Sequence, residues 1–98
     1  MKTRLELIEA YICHHYGVTL DDIMGSSRFK KHYKPRQMII YLCGTYTIAT
    51  DRMMGNRYGR KRDSIRQNRL SISYQRLTDT RVDRFLTDAV SELNLNYK

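Results

Sequence analysis

Residues 50–77 read TDRMMGNRYGRKRDSIRQNRLSISYQRL. Two helical segments are legible in this stretch. Thr50 is an N-cap type of residue, and Met53, Met54 and Arg57 follow within one helix. Gly55 lies inside that segment, where a missing side chain allows close helix packing, and Gly59 ends it. A basic turn follows, Arg60-Lys61-Arg62-Asp63. Asp63 or Ser64 is a good N-cap for a second segment reaching about Leu77, with Leu70, Tyr74 and Leu77 on one face. Two short helices joined by a Gly-containing turn, the second opening on polar and basic residues, describe a helix-turn-helix. An ordinary hairpin of a small helical bundle fits the same pattern. In a helix-turn-helix the second helix enters a major groove, its first side chains reach base edges, and its N–H ends favour phosphate.

Upstream, Thr3 with Glu6 forms a capping-box pattern, and Leu5, Ile8, Ile12 and His15/Tyr16 recur at helical spacing up to Gly17. Thr19 with Asp22 starts a short helix through Leu20, Ile23 and Met24 that Gly25 closes. Ser26 to Lys34 shows no periodicity and reads as a basic loop. Pro35 suits the first turn of a third helix. The run Met38, Ile39, Ile40, Tyr41, Leu42, Cys43 and Tyr46 is apolar nearly all round, which marks a central, buried helix. A last helix, from about Arg81 to Leu93, carries Val82, Phe85, Leu86, Ala89, Val90 and Leu93 on one stripe. That stripe is wider than a two-strand coiled-coil seam and reads as core. No strand-like alternation competes, so the expected fold is all-α, a single 1–98 domain of about six helices.

The charge is concentrated. Thirteen Lys/Arg and two acids, Asp51 and Asp63, lie between Ser26 and Arg76, a net charge of +11. The flanks sum to −3 within a total of +8. A positive field confined to one segment suits a polyanion partner, whereas uniform basicity could serve solubility alone. No apolar run approaches the roughly 18 residues of a membrane span, and Glu6 and Glu9 interrupt the N-terminal apolar stretch, unlike a secretory signal. Two cysteines, Cys13 and Cys43, fit a reducing cytoplasm and small buried thiols. Cys13-His14-His15 is no metal site by pattern, because consecutive helical residues point about 100° apart. No acid/base pair or nucleophile stands at motif spacing, so neither an enzyme nor a cofactor is expected. Among the tyrosines, Tyr11, Tyr16, Tyr41, Tyr46, Tyr58 and Tyr74 fit buried or half-buried helical positions, and Tyr33 lies among the basic residues.

From Tyr16 to Gly59 the chain resembles the C-terminal DNA-binding domain of the bacterial replication initiator DnaA. The resemblance rests on Tyr16, Asp22, Arg28, the run Lys34-Pro35-Arg36-Gln37-Met38, Leu42, Thr47, and Gly55 with Tyr58-Gly59, in family order and without a gap. It implies an all-helical fold of the Trp-repressor/DnaA C-terminal type that binds short duplex sites. It implies that Arg28 enters a minor groove and that Arg36 and Gln37 contact the sugar-phosphate backbone. The family reads the major groove through Gly-Arg-Asp-His-Thr-Thr, and here the chain departs from it. An ungapped register competes with one that inserts a residue in the turn, so that Arg62-Asp63 match Arg-Asp and Ser64 replaces the His. The insertion is preferred because it places Leu70, Tyr74 and Leu77 on the family's buried face. The family's ATPase module needs a Gly-rich phosphate loop, which this sequence lacks, so it reads as a stand-alone DNA-binding module.

The expected interface is then specific. Lys30, Lys31, Lys34, Arg36 and Gln37 hold the backbone, with Arg36→Ala expected to flatten the salt slope by about one unit. Arg60, Lys61, Arg62 and Asp63 form the turn, and Ser64, Arg66, Gln67 and Arg69 face base edges. The expected partner is double-stranded DNA, in replication control or transcription regulation, for a monomeric, cytoplasmic, nucleoid-associated protein of a bacterium or phage. A module binding a replication or regulatory protein, or one binding structured RNA, are the competing readings.

Overall fold

The computed structural model describes residues 2–25 and 30–96, the side chains of 30 and 31 excepted. Among the described residues six helices follow one another: α1 (Arg4–Tyr16), α2 (Leu20–Met24), α3 (Lys30–Tyr46), α4 (Asp51–Tyr58), α5 (Arg62–Thr78) and α6 (Thr80–Glu92). The capping boxes form as the sequence indicates. Thr3 N–H donates to Glu6 Oε1 at 3.0 Å and Glu6 N–H to Thr3 Oγ1 at 3.2 Å. Thr19 and Asp22 repeat the exchange at 3.0 and 3.1 Å. Gly17 ends α1 at φ 66°, a left-handed conformation that costs glycine little.

α3 is the axis of the fold. Met38, Ile39, Ile40, Leu42, Cys43 and Tyr46 are buried around its whole circumference. α1, α2 and α5 pack against it, while α4 and α6 each pack against α5. The stripe of α6 faces this core as expected, with Leu86 and Ala89 fully buried and Val82, Phe85, Val90 and Leu93 packed beside them. Phe85 joins the rings of Tyr11, His15 and Tyr16 at centroid distances of 6.4, 4.4 and 5.9 Å. Cys13 and Cys43 are both buried.

Three local expectations are corrected. First, α3 begins at Lys30, so Lys30 to Lys34 are helical rather than loop, and Pro35 lies inside the helix. A proline there removes one intrahelical hydrogen bond. The turn before it is held by tertiary contacts. His32 is buried with Nε2 3.8 Å from Asp22 Oδ2, and Lys34 Nζ hydrogen-bonds Gln75 Oε1. Second, the N-cap of α5 is Lys61, without a side-chain cap hydrogen bond, rather than Asp63 or Ser64.

Third, Leu70, Tyr74 and Leu77 are exposed, and the buried residues of α5 are Ile65 and Ile72. At 100° per residue these two groups lie on nearly opposite sides of the helix. The inward face between the isoleucines is completed by arginine stems rather than by apolar residues. Arg69 crosses to Asp51, and Arg76 donates to the Tyr41 and Tyr46 hydroxyls at 3.0 and 3.1 Å and to Asp83 Oδ1 at 3.0 Å. The reason for placing an inserted residue in the turn is thereby removed. Tyr41, Tyr46 and Tyr58 are buried and Tyr11 and Tyr16 half-buried, as expected; Tyr74 is not.

Candidate nucleic-acid interface

The turn between α4 and α5 is built by two glycines. Gly59, at φ 63°, reverses the chain. Arg60 N–H then returns to the Gly55 carbonyl at 2.9 Å. Gly55 admits that turn, since a Cβ there would stand 2.6 Å from the Arg60 carbonyl oxygen. Its missing side chain therefore accommodates the turn's own backbone rather than a neighbouring helix. The helix entered from this turn has no side-chain cap hydrogen bond at its N-terminus. Its first-turn N–H groups, with the positive end of the helix dipole, are left to solvent or to an anion.

Around that N-terminus Lys61, Arg62, Asp63, Ser64, Arg66 and Gln67 are all exposed. Among the described residues, Lys61, Arg62 and Arg66 take part in no ion pair. Beside them runs an open groove of ≈ 570 Å³ between α3 and α5. α3 contributes Tyr33, half exposed, and Gln37, which is only 5% exposed. The turn contributes Arg60, and α5 contributes Asp63, Gln67 and the row Ser64, Asn68, Ser71. That row has i, i+4, i+7 spacing, a polar stripe legible in the sequence that neither apolar periodicity nor basic charge marks.

Other residues expected to meet DNA are engaged inside the protein. Arg36 is 3% exposed. Its Nε donates to the Ile23 carbonyl at 2.8 Å and its NH2 to the Gly25 carbonyl at 3.4 Å. Burial, and then the neighbouring Arg60, pull its pKa below the usual guanidinium range. Arg60 donates to the same Gly25 carbonyl at 3.1 Å and to the Tyr58 carbonyl. Two arginines thus hold the end of α2 against α3 and the turn. Arg69 forms a paired contact with Asp51, Nε to Oδ1 at 3.2 Å and NH2 to Oδ2 at 2.9 Å. Its stem crosses α3 at Gly44, where a Cβ would stand 2.6 Å from Arg69 Cδ. This geometry directs Arg69 inward, away from the exposed face that carries Arg66 and Gln67. Arg28 lies outside the described residues, and of Lys30 and Lys31 only the helical backbone is described.

A network beneath α4 also escaped the sequence reading. Glu9 of α1 is buried, and it accepts from Arg57 Nε at 2.7 Å, from Arg57 NH2 at 2.6 Å and from the Tyr58 hydroxyl. Burial, then the Glu9 carboxylate, push the Tyr58 phenol well above its ordinary range. The contact fixes α4, and so the turn that follows it, to the body of the domain.

A short helix, a left-handed glycine turn and an uncapped second helix with exposed basic and amide side chains define a helix-turn-helix domain. Comparison with known proteins agrees. Residues 5–67, more than half of the chain, match the family described as the bacterial dnaA protein helix-turn-helix, and the chain belongs to that family. The chromosomal replication initiator protein DnaA of Ruegeria pomeroyi is 29% identical over 82 residues, 83% of this chain and 18% of the relative. DnaA of Geobacter metallireducens is 32% identical over 57 residues, covering 58% and 13% of the two chains. The chain therefore spans under a fifth of the length of these relatives.

Proposed function

We propose that this domain binds double-stranded DNA, with the start of α5 in the major groove, in the control of chromosomal replication. The observation that carries the reading is the exposed, unpaired set Lys61, Arg62, Arg66 and Gln67 at the uncapped N-terminus of α5. Arg66 and Gln67 are suited to read guanine and adenine by paired hydrogen bonds, each worth about 1–3 kcal/mol of discrimination, and Asp63 is suited to accept from cytosine. Lys61, Arg62 and the first-turn N–H groups meet phosphates. The groove carrying Tyr33, Gln37, Ser64 and Ser71 lies against the adjoining sugar-phosphate strand. Lys30, Lys31 and Lys34 add charge for the DNA backbone, and Arg28 enters a minor groove, as the family resemblance implies. Arg36, Arg60 and Arg69 serve this surface by holding α2, the turn and α4 in place. The relatives' naming as replication initiators favours replication over transcription as the process.

The test is selection of a preferred duplex from a randomised library, followed by affinity for that duplex and for a scrambled one across a salt series. A preference of about 10³-fold or more is the expected result. Equal binding with a steep salt slope would reduce the function to backbone binding. No binding to either duplex at low salt would overturn the reading in favour of a protein-interaction module.

A further inference from the structure

The exposed face of α5 has two halves. Asp63, Arg66 and Gln67 occupy the first, and Leu70, Tyr74 and Leu77, respectively 43%, 68% and 84% exposed, continue the same side of the helix. The apolar half is unused by the core, which takes Ile65 and Ile72 from the opposite side. A second copy of the chain is a poor occupant. Three side chains expose no more than a few hundred Å², against about 800 Å² per partner for a stable interface.

Duplex DNA suits the row better, because it is already engaged by the adjoining half of the same helix and by the surrounding positive charge. Its major groove offers one apolar group, the thymine C5-methyl. The spacing fits: Gln67 to Leu70 is an axial rise of about 4.5 Å, slightly more than the base-pair step of about 3.4 Å. Resting on the DNA-binding reading above, we infer that Leu70 extends the reading face and selects a thymine methyl one step beyond the base addressed by Gln67. Tyr74, about 6 Å farther along the axis, packs over the next sugar, and Leu77 lies at the groove's rim.

The experiment uses the duplex preferred by the wild-type chain, with each thymine replaced singly by deoxyuridine so that only the methyl is removed. One position is expected to cost about 4-fold in affinity, the worth of one buried methyl group. Leu70→Ala should bind the thymine and uracil duplexes equally at that position, with an unchanged melting temperature. Arg66→Ala should weaken both duplexes while keeping their ratio. No uracil effect at any position would overturn the inference, and so would an effect that persists in Leu70→Ala. In either case duplex binding itself would stand. Absence of wild-type duplex binding would instead remove the reading on which the inference rests.

Discussion

Glu9 shows how far one buried carboxylate can order a surface built some 50 residues later. It sits among the apolar residues of α1, yet its oxygens take both donors of Arg57 and the hydroxyl of Tyr58. Removing one partner of a buried ion pair strands the other, at a cost of about 3–5 kcal/mol. Arg57 is 32% exposed, so Glu9→Ala is expected at the lower end, about 3 kcal/mol, measured by urea unfolding. Tyr58→Phe leaves the ion pair and removes one charge-assisted hydrogen bond, an expected loss of about 1.5–3 kcal/mol. A Glu9→Ala loss below that of Tyr58→Phe would contradict this account. Cys43, close by, is pushed up to about 12 from an ordinary value near 9, first by burial and then by the Glu9 charge. The neutral thiol is the form the fold favours. Its stabilisation is whole below pH 9 and falls away as pH rises toward 12. In the native state at pH 8 a thiolate-directed reagent should leave Cys43 unlabelled and should label it at once in denaturant. Rapid native labelling would show that the site opens.

At the scale of elements, the two close glycine contacts separate a rigid obstacle from a movable one. A methyl group at Gly55 would meet the Arg60 carbonyl, which is backbone, whereas at Gly44 it would meet the Arg69 stem. Gly55→Ala should therefore displace the turn itself, costing about 1–3 kcal/mol and weakening DNA binding beyond the loss of stability. Gly44→Ala should cost less, about 1 kcal/mol, by lifting Arg69 from Asp51, and Arg69→Ala in the same chain should absorb part of that cost. Equal effects of the two glycine substitutions on binding would refute the distinction. The same contrast explains what was legible in the sequence. Capping boxes, left-handed glycines and the apolar runs of α3 and α6 are local signals, and they placed five of the six helices to within about two residues. The start of α3 was hidden because contacts from Asp22 and Gln75, distant in the chain, overrule Pro35. The inward face of α5 was hidden because Arg69 and Arg76 do there what leucines usually do, so apolar periodicity pointed to the solvent side. The basic character of the interface was legible; the division of its arginines between DNA and scaffold was not.

For the whole molecule that division sets how steeply DNA binding should respond to salt. Of the thirteen Lys/Arg between Ser26 and Arg76, Lys34, Arg36, Arg57, Arg60, Arg69 and Arg76 make hydrogen bonds or ion pairs within the protein among the described residues. Seven remain, and each phosphate neutralised on a duplex contributes about −0.9 to the slope of log affinity against log salt. The slope is therefore expected no steeper than about −6, whereas all thirteen charges acting together would approach −12. Two substitutions test the assignment one charge at a time. Arg66→Ala removes an exposed cation and should flatten the slope by about one unit with the melting temperature unchanged. Arg36→Ala should do the reverse. Its guanidinium holds the Ile23 and Gly25 carbonyls and Arg60 still reaches the second, so its loss takes the donor from the buried Ile23 carbonyl at about 1–3 kcal/mol while the slope stays near that of the wild type. A flattened slope with unchanged stability in Arg36→Ala would restore Arg36 to the phosphate-contacting set, as the family resemblance alone implies, and would mean that its side chain turns outward when DNA arrives.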